Sequence, residues 1–140
     1  MPVKDKVALS ACLLGIQTAY DGKGRLDINL LAKLKGRPIF PICPEVLGGL
    51  PTPRIPSEIQ SDTGKVLNRE GQDVTEFFSS GAKETLRILI DEEIRCVYLK
   101  DNSPSCGFNS IYDGTFSNRK IQGEGITCKF LKQHGISVIK

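Results

Sequence analysis

Val7-Ala8-Leu9-Ser10-Ala11-Cys12 sets a pattern of a short apolar run with a cysteine just beyond it. The pattern returns at Pro38-Ile39-Phe40-Pro41-Ile42-Cys43. It returns again at Cys96-Val97-Tyr98-Leu99, where the cysteine, Cys106, follows after a longer polar stretch. Continuous apolar runs of this length suit strands buried on both faces of a parallel sheet, and helical patterns after the second and third runs supply crossovers. The expected fold is one three-layer α/β domain over residues 1–140, with a small, largely parallel, Rossmann-like sheet flanked by helices. The carboxyl ends of open parallel strands form the ligand crevice, so Cys12, Cys43 and Cys106 can meet there. The remaining cysteines read as structural: Cys96 begins a strand and Cys128 lies in a helical pattern.

Between these runs, Asp27 followed by Ile28, Leu31 and Leu34 reads as a capped helix with a basic last turn and a stop at Gly36. Residues 48–56 hold too many prolines and glycines for an element interior and must form a loop. Asp73 and Glu76 suggest a capping box opening the longest helix. Val74, Phe77, Phe78, Ala82, Leu86, Leu89 and Ile90 recur there at helical spacing as a sheet-packing face. Ile126, Phe130 and Leu131 mark a last helix ended by Gly135, and residues 136–139 a final strand. Tyr20-Asp21-Gly22 and Tyr112-Asp113-Gly114 each follow a cysteine. Spacing alone favours two unrelated tight turns; the functional alternative is that both wall one pocket.

A chain of 140 residues buries a core without disulfide staples. Five cysteines without dense spacing argue against a secreted disulfide framework and for a reducing cytoplasm. The net charge of +3 is spread without basic runs or interleaved aromatics, so nucleic-acid binding is not indicated. No apolar stretch approaches membrane-helix length. Leu9-Ser10-Ala11-Cys12, with Lys4 and Lys6 before it, looks like a bacterial lipoprotein cleavage box. A secretory core needs roughly 7–15 apolar residues, however, and only Val7, Ala8 and Leu9 separate Lys6 from Ser10, so residue 12 is expected within the mature chain.

Two compact motifs carry chemistry. In Cys43-Pro44-Glu45 the proline biases Cys43 toward extended backbone, and residues two apart in extended chain point to one side. A thiol and a carboxylate are thereby expected to project together. In Ser103-Pro104-Ser105-Cys106-Gly107 two hydroxyls and a thiol converge, and Gly107 permits close backbone approach. Paired C-x₂₋₄-C zinc ligands and ferredoxin-type cysteine runs are both missing, and the sole histidine, His134, reads as a helix-end residue. Zinc, an iron–sulfur cluster and thiol redox chemistry all stay open on spacing. Gly22-Lys23-Gly24-Arg25 fits no phosphate-binding pattern and reads as a turn.

Residues 10–15, Tyr20-Asp21-Gly22, Cys43-Pro44-Glu45 with Gly48-Gly49-Leu50, Pro53-Arg54-Ile55-Pro56-Ser57-Glu58, residues 71–75, Ser103–Gly107 and residues 111–116 together resemble the thiouracil desulfidase family. The resemblance runs in order from about residue 7 to the C-terminus. It implies an oxygen-sensitive [4Fe–4S] cluster held by Cys12, Cys43 and Cys106, and non-redox removal of sulfur from a small thiolated pyrimidine with release of hydrogen sulfide. Glu45 and Ser103 match the positions that assist catalysis. Arg54, Ser105 and Tyr112 are the expected substrate-pocket residues. The alternative is a non-catalytic zinc-binding module using the same three cysteines.

Overall fold

The computed structural model describes residues 5–140, so Lys4 and the start of the expected 1–140 unit lie outside the described residues. Four strands, β1 (Val7–Ser10), β2 (Ile39–Ile42), β5 (Cys96–Tyr98) and β8 (Ser137–Ile139), form a parallel sheet in the order β2-β1-β5-β8. Ala8 faces Phe40 on one side and Val97 on the other, and Val97 in turn pairs with Val138. Pro41 is tolerated because β2 is an edge strand.

Alternation along β1 divides the core into layers. Val7 and Leu9 pack with Leu13 and Leu34 beneath α1 (Ile28–Lys33). Ala8 turns the other way, where Val97 and Leu99 pack against Leu89 of α3 (Thr75–Asp91) and Cys128 and Leu131 of α4 (Ile126–Gln133). Cys128 is fully buried in this layer, and half-buried Cys96 packs beside Val7 and Leu9. Helices on both faces of a parallel sheet give the three-layer α/β arrangement expected from the runs.

Two antiparallel hairpins are additional to that expectation. The strands β3 (Ser57–Ile59) and β4 (Val66–Asn68) make one, and β6 (Ser110–Tyr112) and β7 (Lys120–Gln122) the other. The segment after Cys43 is α2 (Pro44–Leu47), not extended chain: Pro44 occupies the first helical turn, where its missing N–H costs nothing. The Asp73–Glu76 capping box does not form. Asp73 accepts from the backbone N–H and hydroxyl of Thr75 at 2.9 and 2.6 Å instead. Phe77 and Ile90, expected against the sheet, are substantially exposed. His134 ends α4 with its Nδ1 2.8 Å from the Phe130 carbonyl oxygen. Among the described residues no helix is long and apolar enough to cross a membrane.

Candidate active site

Strand order fixes where a crevice opens. The chain leaves β1 toward β2 on one side and leaves β5 toward β8 on the other, so the connections diverge at the carboxyl ends of β1 and β5. A cavity of about 280 Å³ lies there, and Cys12, Cys43 and Cys106 all line it. Cys12 sits in the 3₁₀ turn Ala11–Leu14 directly after β1, Cys43 caps α2 after β2, and Cys106 lies within the loop that follows β5. None of the three is in a disulfide. Among the described residues no three His, Cys, Asp or Glu side chains are close enough to hold a single metal ion.

Glycines let the flanking helices press the site together. A Cβ at Gly81 of α3 would lie 2.0 Å from the carbonyl oxygen of Pro44, so α2 rests directly on α3 and is held there with Cys43 and Glu45. A Cβ at Gly125 would lie 2.4 Å from the Ser105 carbonyl oxygen, which seats the start of α4 against the Cys106 loop. The loop is also tied from within. Oδ1 of Asp101 accepts from the backbone N–H groups of Phe108, Asn109 and Ser110 at 3.0, 3.1 and 3.2 Å. Burial disfavours that carboxylate, but these and other backbone donors outweigh it and hold its carboxyl below the usual range.

Glu45 lies between two anchors. Its Oε1 accepts from Nε of Arg54 at 3.1 Å, and its Oε2 accepts from the Ser103 hydroxyl at 3.4 Å. Arg54 is 5% exposed and Glu45 15%, so this is a largely buried ion pair. Arg54 also donates to Thr18 O (3.0 Å), Thr52 Oγ1 (3.0 Å) and Pro51 O (3.2 Å), which engages four of its five N–H donors. The Ser103 oxygen accepts from the backbone N–H of Ser105 and of Cys106, each at 3.0 Å. Both of its lone pairs are filled, and its one proton points to Glu45.

Of the residues expected at the site, the cavity brings together Cys12, Cys43, Cys106, Glu45, Ser103, Arg54 and Tyr112. Ser105 turns away: it is 1% exposed and its Oγ hydrogen-bonds Thr127 Oγ1 at 2.8 Å under α4. Tyr20 and Tyr112 line the same cavity, so the two Tyr-Asp-Gly turns do share a pocket. Their aspartates serve the turns: Asp21 pairs with Arg25, and Asp113 accepts from Thr115. Sequence reading missed Arg25, Lys100 and Glu58, which also line the cavity. Only Glu58 carried a signal, closing the Pro53–Glu58 motif four residues after Arg54.

The surroundings of Cys12 and Cys106 favour the protonated thiol. Burial pushes Cys12 up, and neighbouring Cys43 adds to it, while Lys100 and Arg25 act the other way. Burial drives Cys106 far above the ordinary thiol range; a hydrogen bond with Ser10 opposes this, and Cys43, Glu45 and Cys12 reinforce it. A positively charged group bound among them would favour their ionisation.

Acid–base groups held beside unpaired thiols at a sheet switch point mark an α/β enzyme built around cysteine chemistry. The chain belongs to the 2-thiouracil desulfurase family, whose model matches residues 7–140. A solved [4Fe–4S]-dependent thiouracil desulfidase, TudS, is 44% identical with a TM-score of 0.89, the match covering 97% of this chain and 90% of that one. An uncharacterised protein of Bacillus subtilis (strain 168), YbbK, is 40% identical over 141 residues, 95% of this chain and 93% of its own length. Three free thiols from three segments line one cavity here, donor chemistry of the kind that holds iron–sulfur clusters.

Proposed function

We propose that the chain removes sulfur from a small thiolated pyrimidine such as thiouracil, with Cys12, Cys43 and Cys106 holding a [4Fe–4S] cluster. The observation that carries this reading is the opening of all three thiols onto the cavity that also contains the Arg54–Glu45–Ser103 array. Bound by three thiolates, a four-iron cluster has one iron without a protein ligand, which supplies a Lewis acid for a soft thiocarbonyl sulfur.

The protein's own part is to activate water and keep the reacting groups in register. Glu45 accepts the proton of a water that adds to the thiocarbonyl carbon. Breaking the C–S bond leaves the oxo-pyrimidine, and two protons carry the sulfur off as hydrogen sulfide. Water plus thiocarbonyl thus gives carbonyl plus hydrogen sulfide, with no electron gained or lost. Arg54 and Ser103 fix the two Glu45 oxygens, and a positioned base is worth about 10²–10⁴-fold. Ser103, with both lone pairs committed to the Cys106 loop, couples the base to that loop and does not relay protons. Tyr20 and Tyr112 contribute aromatic walls to the pocket.

Anaerobic cluster reconstitution followed by turnover of 2-thiouracil tests the reading. Uracil and sulfide in equal amounts are expected, and Glu45→Gln should keep its iron while kcat falls about 10²–10⁴-fold. Iron-loaded wild type that leaves every thiopyrimidine unchanged would overturn it.

A further inference from the structure

The Pro53–Glu58 motif ends on a buried acid that the proposed chemistry does not use. Glu58, on β3, is 8% exposed and lines the cavity from the hairpin side, while the thiols come from the sheet ends. Its Oε1 accepts from the backbone N–H of Gly114 at 2.9 Å and of Phe116 at 3.1 Å, which pins the carboxylate to the loop after β6. Its Oε2 accepts nothing from the described residues. No buried side-chain oxygen or nitrogen among them lacks a partner, so Oε2 is in reach of solvent, and the space beside Glu58 is the cavity. The result is an immobilised carboxylate on the cavity wall with one oxygen unengaged by the described residues.

We propose that Glu58 is a specificity-determining residue whose free carboxylate oxygen accepts a hydrogen bond from a ring N–H of the substrate. This rests on the desulfidase reading above and adds the edge by which the heterocycle is chosen. A thiopyrimidine carries N–H donors beside its thiocarbonyl carbon, so a ring with its sulfur toward the thiols can turn a donor edge to the hairpin wall. A site built around such a bond rejects analogues that lack the donor, because the acceptor is then left buried and unpaired.

Glu58→Gln is the informative change. The amide oxygen takes over the two N–H groups of Gly114 and Phe116, which keeps the loop anchored, and the NH₂ is left facing the cavity where an acceptor stood. Wild type should turn over 2-thiouracil with kcat/KM about 10- to 100-fold above that for at least one of its 1-methyl and 3-methyl derivatives, the scale of one hydrogen bond to a charged acceptor. Glu58→Gln should lose a similar factor on 2-thiouracil and bring that ratio close to one. Equal losses on all three substrates would reduce Glu58 to a loop anchor and overturn the inference, as would an unchanged ratio. Calorimetric binding of uracil, 1-methyluracil and 3-methyluracil repeats the comparison without chemistry. Wild type that prefers uracil over one methylated form, with the preference lost in Glu58→Gln, supports the inference even if thiouracil turnover fails. Wild type without such a preference overturns it even if turnover succeeds.

Discussion

Replacing Arg54 with methionine keeps much of the side-chain volume and removes four hydrogen bonds together with the charge facing Glu45. At 5% and 15% exposure the two partners are too buried for water to take over, so the loss belongs with broken buried pairs, about 3–5 kcal/mol. Against a total stability of about 5–15 kcal/mol the variant should still fold, with a markedly lower urea midpoint. Lysine at 54 retains the charge but cannot reach Glu45, Thr18 O and Pro51 O with one ammonium, so it should recover only part of the loss. The assay is equilibrium urea unfolding of reduced, iron-free protein for wild type, Arg54→Met, Glu45→Gln and the double variant. If the guanidinium and the carboxylate hold each other, the double variant should be less destabilised than the sum of the singles by about 1–3 kcal/mol. Additivity within about 0.5 kcal/mol, or an Arg54→Met cost below about 1 kcal/mol, would refute the clamp.

Alanine at Gly81 gains about 1 kcal/mol of helix propensity but puts a Cβ 2.0 Å from a backbone oxygen of α2, and overpacking of that kind costs about 1–3 kcal/mol. A lower urea midpoint together with reduced turnover is expected, since α2 carries Glu45; an unchanged midpoint would show that α2 yields freely. Burial, and then the Glu124 carboxylate, raise Cys128 from the ordinary 9.0 to about 11. The folded chain therefore keeps this proton where the unfolded chain has lost it. That contribution to stability is whole below about pH 9 and is lost as the pH climbs toward about 11. Over this range Cys128→Ala should show a shallower decline of unfolding free energy than wild type, and parallel curves would contradict the assignment.

The sheet was legible because β1, β2, β5 and β8 coincide with apolar runs, and Cys12, Cys43 and Cys106 follow the first three of them. The hairpins were not, because β3, β4, β6 and β7 are short strands set in polar sequence without a continuous apolar run, and β7 is wholly exposed. Around Cys43 the reading was half right. The residue before Pro44 is extended, with φ −136° and ψ 97°, yet Pro44 starts a helix, so Glu45 reaches the cavity from a helical turn. Ser105 shows a limit of motif reading: its neighbours Ser103 and Cys106 face the cavity, while the same turn sends its hydroxyl to Thr127. Arg54 was placed in the pocket from its motif, but the commitment of its donors to Glu45 and to the Thr18 and Pro51 carbonyls depends on the folded loop and has no sequence signature.

The division of the five cysteines tests the account most directly. After anaerobic reconstitution, wild type, Cys96→Ala and Cys128→Ala should each carry about four irons with matching acid-labile sulfide per chain, the content of a [4Fe–4S] cluster. Cys12→Ser, Cys43→Ser and Cys106→Ser should each lose most of it. Iron retained by all three serine variants, or lost equally across all five substitutions, would contradict the claim that these three thiols hold the cluster.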